Sequence, residues 1–184
     1  MSALLATSAL SKHFGGDRAL GPVDFRVSSG EIVGIIGPNG SGKTTFFNTV
    51  TGFHRPTAGR VFWKDQDITR LAPHRRARLG LVRTFQEKMV FPGVTVRENI
   101  RLSLIQHRVR PIDNVATMAG IARVGLPEST MDQFAGDLSW GQCRLLGMAL
   151  GLVLKPELLL LDEPFAGLNR IAAEQVTSML RRLK

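Results

Sequence analysis

The sequence contains no tyrosine, a single cysteine and no long apolar run. One cysteine, Cys143, excludes an internal disulfide and agrees with a reducing compartment. The longest apolar run, Leu145 to Leu154, is too short to span a bilayer, which needs about 20 residues. The N-terminus lacks the charged segment and cleavage site of a signal peptide. These absences disfavour a disulfide-stabilised secreted protein and a membrane-spanning one.

Acidic residues are also scarce: the sequence has 15 Asp and Glu but 24 Lys and Arg, which gives a net charge of +9. Such a charge is compatible with nucleic acid or an anionic membrane surface. The basic residues are spread, however, and the two small clusters at 74–78 and 181–184 lack the interleaved aromatics that stack on bases. We therefore expect solvated helix faces and no nucleic-acid partner. The 184 residues suit one compact domain, residues 1–184.

A glycine-rich motif lies between an apolar β-type segment, residues 31–36, and a helix-compatible segment, residues 44–50. It fits the phosphate-binding pattern G-x-x-x-x-G-K-[ST]. Its glycines let backbone N–H groups point at phosphate oxygens, and the helix N-terminus adds partial positive charge. The lysine is expected to bind the β- and γ-phosphates and the following threonine a Mg²⁺ ion. The predicted nucleotide site consists of Gly37, Pro38, Asn39, Gly40, Ser41, Gly42, Lys43, Thr44 and Thr45.

Four leucines, residues 158–161, are followed directly by Asp162 and Glu163. The apolar run predicts a strand buried on both faces of a parallel sheet, and ligands bind at the carboxyl end of such strands. Asp162 is then the candidate Mg²⁺ partner. Glu163 is placed to orient or deprotonate the water that attacks ATP. The alternative is a pair of solvated acids that cap a buried strand.

A third motif opens a helix-compatible segment shortly before those leucines: Leu138, Ser139, Trp140, Gly141 and Gln142. With Arg144 it resembles the L-S-G-G-Q-x-R signature of ABC-type ATPases. The order of P-loop, signature and Asp-Glu strand is highly specific for that family. Cys143 lies inside the motif and is interpreted as a small buried residue rather than a nucleophile.

Three further positions extend the resemblance over nearly the whole chain. Gln86 matches the family's Q-loop glutamine, and residues 166–169 occupy the place of the D-loop. Phe14 lies where the family has an aromatic that stacks on adenine, and no tyrosine could replace it. For Gln86 the alternative is an ordinary polar loop residue. For Phe14 it is a core aromatic near a strand end.

The resemblance implies an α/β P-loop NTPase fold with an N-terminal antiparallel β region, a parallel core sheet and a helical subdomain inserted at about residues 91–150. It also implies a split site in a head-to-tail dimer of ABC ATPase subunits. Ser139, Gly141 and Gln142 of one subunit would contact the ATP held by its partner. Gln86 would reach the Mg²⁺ ion or the attacking water. Trp140 replaces a small glycine and changes how closely the backbone can approach there.

Residues 73–75, 83–86, 91–99 and 166–169 resemble ATP-binding subunits of importers for branched-chain amino acids, urea or amides. This implies a peripheral protein at the cytoplasmic face of the cell membrane. Its implied partners are a second ATPase subunit, transmembrane permeases and, indirectly, a periplasmic solute-binding protein. Two alternatives are an ABC ATPase acting on nucleic acid or ribosomes, and a nucleotide-binding module without turnover.

One family element, the switch histidine, is missing. It follows the strand after the D-loop helix, whereas all four histidines here precede Asp162. The resemblance implies that the last core strands, including one beside the P-loop strand, are not part of this sequence. We expect the 184-residue chain alone to be aggregation-prone and to hydrolyse little or no ATP.

Local patterns predict the remaining elements. Strands are expected at residues 3–12, 23–27, 31–36, 60–63 and 81–84. Thr95 and Glu98 form a capping-box pattern that should begin a helix with Val96, Ile100 and Leu104 on one face. A second helix is expected from about Asp113 to Gly125. The final helix, residues 170–184, should bury Ile171, Val176, Met179, Leu180 and Leu183.

Overall fold

The computed structural model describes residues 3–84, 90–106, 118, 122 and 124–183. It divides the chain into two compact units, Met1–Val82 and Arg83–Lys184. The architecture is mixed α/β, with an antiparallel sheet in the first unit and a short parallel sheet. The predicted fold class is thereby confirmed.

The first unit is built on a four-stranded antiparallel sheet with the strand order β2-β1-β3-β4. Its long hairpin buries Leu5 and Leu10 completely, and Val61 and Ile68 of the same unit are also fully buried. Strands β1 and β2 extend beyond the residues that the local pattern predicts, 3–12 and 23–27. Each additional residue is held in the strand by pairing with the neighbouring strand. The bounds are Leu5–Phe14 for β1, Asp17–Val27 for β2, Ala58–Trp63 for β3 and Gln66–Asp67 for β4.

Two helices complete the first unit: α1, Lys43–Val50, and α2, Pro73–Arg78. Proline at the first position of α2 suits a helix start, where its missing N–H is not needed. The predicted strand at residues 31–36 is wrong, because these residues carry no regular secondary structure. A strand forms only when a neighbouring strand takes up its N–H and C=O groups. Ile36 is consequently 97% exposed and Ile32 is 56% exposed.

In its described residues, the second unit contains three α-helices and strand β6, Leu158–Leu161. Strand β5, Leu81–Thr84, enters this unit at Arg83 and pairs with β6 in a two-stranded sheet. Helices α3, Val96–Gln106, α4, Trp140–Leu152, and α5, Arg170–Leu183, follow the same chain order. They enclose one apolar core that includes Ile100, Leu104, Leu146, Val176 and Met179.

The start of α3 confirms the predicted capping box. The Glu98 carboxylate accepts a hydrogen bond from the Thr95 N–H at 2.8 Å, and the Thr95 hydroxyl accepts one from the Glu98 N–H at 3.2 Å. Hydrogen bonds to the carboxylate from the Thr95 N–H and from the Thr95 hydroxyl lower the pKa of Glu98, because they favour its ionised form. Val96, Ile100 and Leu104 are fully buried, as the helical spacing predicts. The predicted helix at 113–125 lies largely outside the described residues.

Two predictions about burial need correction. The four leucines of β6 are half-buried rather than buried on both faces, since among the described residues β6 pairs with β5 alone. In α5, Val176 and Met179 are buried as predicted, whereas Ile171 is 67% exposed. Ala172, one residue further and thus about 100° around the helix, takes the inward position instead. Within the described ranges, no helix is long and apolar enough to cross a membrane.

Candidate nucleotide site

The P-loop of the first unit ends in a helix N-terminus without a cap. Gly42, the residue before α1, has φ +92°, and a side chain there would lie 2.6 Å from the Ala19 carbonyl oxygen. No side chain caps α1, and its first turn contains no acid. The first N–H groups of a helix have no partner within the helix. This end of α1 therefore offers donors and partial positive charge to an anion.

Lys43, the first residue of α1, closes the loop that precedes it. Its Nζ donates hydrogen bonds to the carbonyl oxygens of Gly37 at 2.7 Å and Pro38 at 2.9 Å. The loop is tightly folded, because a Cβ on Gly37 would lie 2.6 Å from the Ser41 hydroxyl. The ammonium is thus held over the loop. If phosphate oxygens replaced these two carbonyl oxygens, the hydrogen bonds of the Lys43 ammonium would become stronger, because the new acceptors are charged.

The other predicted residues of this loop are accessible. Asn39, Gly40 and Thr44 are exposed, and Thr45 is half-buried. The Thr45 carbonyl accepts a hydrogen bond from the Thr49 hydroxyl at 2.7 Å, which ties the first and last turns of α1 together. Thr44 therefore has an open hydroxyl at the start of a well-fixed helix.

Phe14, at the end of β1, is 46% exposed, which does not suit a core aromatic. Its ring meets the His54 ring edge-on, with centroids 5.2 Å apart. The ammonium of Lys12 lies 4.9 Å from its centroid, within cation–π range. This surface presents an aromatic ring beside two nitrogen-bearing side chains. The adenine-stacking role of Phe14 stays a prediction.

Asp162 and Glu163 follow β6 in the second unit and have opposite surroundings. Asp162 is 4% exposed, and its Oδ2 accepts a hydrogen bond from Arg83 Nη2 at 2.7 Å. Glu163 is exposed and has φ +46°, a left-handed conformation that is rare for residues other than glycine. Such strain is common at functional sites. The two acids are therefore a fixed, paired carboxylate and an open one.

The signature motif forms the start of α4. Ser139 is the N-cap: its hydroxyl accepts from the Gln142 N–H at 3.3 Å, and the Gln142 amide oxygen accepts from the Ser139 N–H at 2.9 Å. Both predicted side chains are thus held at a helix N-terminus. Gly141 packs closely, since a Cβ there would lie 3.1 Å from the Cβ of Ala172. Burial raises the pKa of the Cys143 thiol, which agrees with a structural role.

Trp140 joins the signature to the D-loop. Its side chain is 62% exposed, and its indole nitrogen lies 2.8 Å from where a Cβ of Gly167 would be. Gly167 also has φ +71°, so both its conformation and its neighbour require glycine. The Arg144 guanidinium carbon lies 5.5 Å from the centre of the Trp140 ring. Asn169 completes this region by capping α5, because its Oδ1 accepts from the Ala172 N–H at 2.9 Å.

Each unit, taken by itself, contains an oxygen donor of the kind that suits a Mg²⁺ ion. The ion prefers oxygen ligands and is usually bound through one or two carboxylates together with substrate phosphates. The Thr44 hydroxyl and the Asp162 carboxylate are donors of this kind. In the described part of the chain, no group of three or more His, Cys, Asp or Glu is suited to hold a metal. Gln86, the third predicted ligand, lies outside the described residues.

Two functional candidates were not singled out from the sequence. Arg83 pairs with Asp162, and Arg76 binds the end of α1 through the carbonyls of Thr49 and Val50. The signal for Arg83 is a charged residue inside the short apolar strand β5. For Arg76 the sequence offers no signal, because it is one arginine among several in residues 75–78.

The sequence profile of the ABC transporter family matches residues 20–166. The chain therefore belongs to the ABC transporter family and is an ATPase of that type. It is 36% identical to the high-affinity branched-chain amino acid transport ATP-binding protein LivG of Escherichia coli K12, over 98% of this chain and 77% of that protein. A probable LivG of Archaeoglobus fulgidus is 37% identical over 98% of this chain and 75% of its own. The lipopolysaccharide export ATP-binding protein LptB of Acidithiobacillus ferridurans is 34% identical over 100% of this chain and 76% of that protein.

Solved structures agree with this assignment. The ADP conformation of MJ1267, an ATP-binding cassette of an ABC transporter, aligns with a TM-score of 0.87 and 31% identity. The alignment covers 100% of this chain and 77% of that one. The cassette MJ0796 was solved as a dimer in a post-hydrolysis state with ADP and phosphate. It aligns with a TM-score of 0.84 and 25% identity, over 97% of this chain and 82% of that one.

Proposed function

We propose that this chain is the ATP-hydrolysing subunit of an importer for branched-chain amino acids or related amides. The main support is its identity of 36–37% to two proteins named for branched-chain amino acid transport, over 98% of its length. The similarity of residues 73–75, 83–86 and 166–169 to such subunits points the same way. ATP binding and hydrolysis would then drive transport through association of two ATPase subunits.

The first unit supplies the phosphate-binding part. The N–H groups at the start of α1 and the Lys43 ammonium provide donors for the β- and γ-phosphates. The carbonyls of Gly37 and Pro38, which now accept from Lys43, hold the ammonium in place until phosphate oxygens replace them. Phe14 is proposed to stack on the adenine ring.

The Mg²⁺ ion would be held by Thr44, Asp162 and Gln86. When bound, such an ion neutralises charge on the β- and γ-phosphate oxygens. Asp162 is suited to this task because its Oδ2 is held by Arg83 and the side chain has little freedom at 4% exposure. A carboxylate offers about four acceptor positions, and the Arg83 hydrogen bond uses one of them.

Hydrolysis is assigned to Glu163, with Gln86 as the residue that helps to orient the attacking water. Glu163 directly follows Asp162, is exposed, and is held in a left-handed conformation by its place in a tight turn. The Glu163 carbonyl accepts a hydrogen bond from the Ala166 N–H at 3.1 Å, which closes that turn. The carboxylate would take a proton from water as the water attacks the γ-phosphorus, and the bond from that phosphorus to the bridging oxygen would break to release ADP.

The signature is proposed to serve the nucleotide of a second ATPase subunit. Ser139, Gly141 and Gln142 lie at the N-terminus of α4, which is an anion-binding helix end without a lysine. The Ser139 hydroxyl has acceptor and donor capacity beyond its cap, so it can also donate to a phosphate oxygen. Permease subunits and a periplasmic solute-binding protein would complete the complex. The proposed location is the cytoplasmic face of the membrane.

The solute assignment is tested by uptake measurements in cells of the source organism that lack this gene. We expect impaired uptake of radiolabelled leucine, isoleucine and valine, restored by the parent gene but not by Glu163→Gln. Uptake of an unrelated solute serves as the control. Unchanged branched-chain amino acid and amide uptake would contradict the proposal. A lipopolysaccharide export defect instead would favour a role like that of LptB.

A further inference from the structure

Arg83 and Asp162 form a buried ion pair at two paired strands. Arg83 is the third residue of β5, and Asp162 directly follows β6. Arg83 Nη2 lies 2.7 Å from Asp162 Oδ2, and the two side chains are only 5% and 4% exposed. Arginine and aspartate are almost never buried this deeply unless they are paired. The contact with Arg83 therefore compensates the buried charge of Asp162.

A second Arg–Asp pair in the same unit provides a comparison. Arg97 Nε lies 2.9 Å from Asp132 Oδ1, but these side chains are 29% and 79% exposed. Exposed pairs contribute little, because water screens them. The Arg83–Asp162 pair is thus set apart by its burial, and one of its members is the carboxylate that we assign to the Mg²⁺ ion.

We infer that Arg83 is a positioning residue that neutralises and orients Asp162 while no cation is bound, and that opposes the cation when it binds. The inference rests on the proposed function, in which Asp162 faces a Mg²⁺ ion. An arginine that donates to a carboxylate compensates its negative charge and fixes its direction. The same fixed positive charge repels a divalent cation nearby.

This repulsion has a consequence for the order of binding. The cation alone binds only weakly at Asp162, because Arg83 already compensates the negative charge of that carboxylate. Nucleotide phosphates bring additional negative charge, so cation and nucleotide together overcome the opposition of Arg83. Arg83 would thereby link occupancy by Mg²⁺ to occupancy by nucleotide.

The test compares ADP affinity in EDTA and in excess Mg²⁺, measured by calorimetry, for the parent protein and Arg83→Gln. Glutamine can still donate a hydrogen bond to Asp162 but carries no charge. The ratio of the two dissociation constants, which we call the Mg²⁺ gain, should be about tenfold larger in Arg83→Gln, or about 1.4 kcal/mol. Mg²⁺ alone should raise the unfolding temperature of Arg83→Gln but not that of the parent.

Three variants control for other effects. Arg83→Lys keeps the charge and should retain a Mg²⁺ gain close to that of the parent. Arg97→Gln, at the exposed pair, should leave the gain unchanged. Adding Asp162→Asn to Arg83→Gln should remove the additional gain, since the carboxylate through which both charges act is then absent.

Each outcome decides the matter. An unchanged or smaller gain in Arg83→Gln, with a clear gain in the parent, overturns the inference and leaves the proposed function intact. No gain in either protein contradicts the assignment of the Mg²⁺ ion as well as the inference. A variant that folds only with Mg²⁺ and ADP supports the inference. A variant that stays unfolded even then contradicts it, because the cation fails to replace the guanidinium.

Discussion

Replacing Arg76 with methionine should strongly destabilise the first unit. Arg76 lies in α2 with 1% of its surface exposed, and burial lowers its pKa to about 10, which leaves it charged at neutral pH. Its guanidinium donates four hydrogen bonds to backbone carbonyls, at 2.7–3.0 Å: those of Thr49, Val50, Thr69 and Leu71. Thr49 and Val50 close α1, whose last carbonyls lack partners within the helix and favour a positive charge.

The magnitude follows from these bonds. Hydrogen bonds from a charged group contribute about 1.5–3 kcal/mol each, and loss of the donor leaves four carbonyls to find water. Removing a buried guanidinium also removes its desolvation cost, so the four contributions do not add. We expect a loss of about 3–5 kcal/mol, the range for breaking a buried charged network. The total free energy of unfolding of a typical domain is about 5–15 kcal/mol, so this loss would be a large part of it.

The assay is urea unfolding monitored by tryptophan fluorescence. Trp63 is 3% exposed in the first unit, and a Trp140→Phe background isolates its signal. With a slope of roughly 2 kcal/mol/M, the midpoint of Arg76→Met should fall by roughly 1.5–2.5 M. Arg75→Met is the matched control, because Arg75 is exposed in the same helix. Free energies of unfolding for Arg76→Met and Arg75→Met that agree within about 0.5 kcal/mol would refute the reasoning.

Three further predictions concern the site. Hydrolysis is measured on a chain extended to the length of its relatives, since the 184 residues alone are expected to hydrolyse little or no ATP. In that chain, Glu163→Gln should slow phosphate release by about 10²–10⁴-fold with little change in ATP affinity, and parental turnover would remove Glu163 as the base. Ser139→Arg should impair hydrolysis yet leave ATP binding to the isolated subunit intact; a large loss of that affinity would mean that the signature serves its own nucleotide. Gly167→Ala should cost about 1–3 kcal/mol in urea unfolding, since the new Cβ meets the indole nitrogen of Trp140. A Trp140→Phe background should relieve part of that loss, and equal losses in both backgrounds would contradict a clash with the indole.

Features that depend on residues close in sequence could be predicted. The start of α1 at the P-loop follows from glycines that permit left-handed backbone and a lysine that opens a helix. The capping bonds of Thr95 with Glu98 and of Ser139 with Gln142 each span three residues, so their pattern is visible in the sequence. The motifs of the candidate site are local patterns of the same kind, and the roles of their residues stay predictions.

Features that depend on distant residues could not be predicted in this way. Residues 31–36 have the composition of a strand, but no named strand includes them, because pairing and not composition makes a strand. The Arg83–Asp162 pair joins residues 79 positions apart. Arg76 reaches α1 across 26 residues. Ile171 and Ala172 are consecutive residues of α5 and point about 100° apart around the helix. Which of them faces the core is decided by how the helix packs and not by which residue is more hydrophobic.

The central claim is that the P-loop of this chain binds nucleotide through Lys43, and calorimetric titration with Mg²⁺ and ADP tests it most directly. Lys43→Ala should weaken binding by roughly 10- to 150-fold for each hydrogen bond to phosphate that it removes, since a charged hydrogen bond contributes about 1.5–3 kcal/mol. Arg55→Ala, which removes an exposed charge from the same unit, should bind like the parent. Affinity in Lys43→Ala equal to that of the parent and of Arg55→Ala would contradict the account.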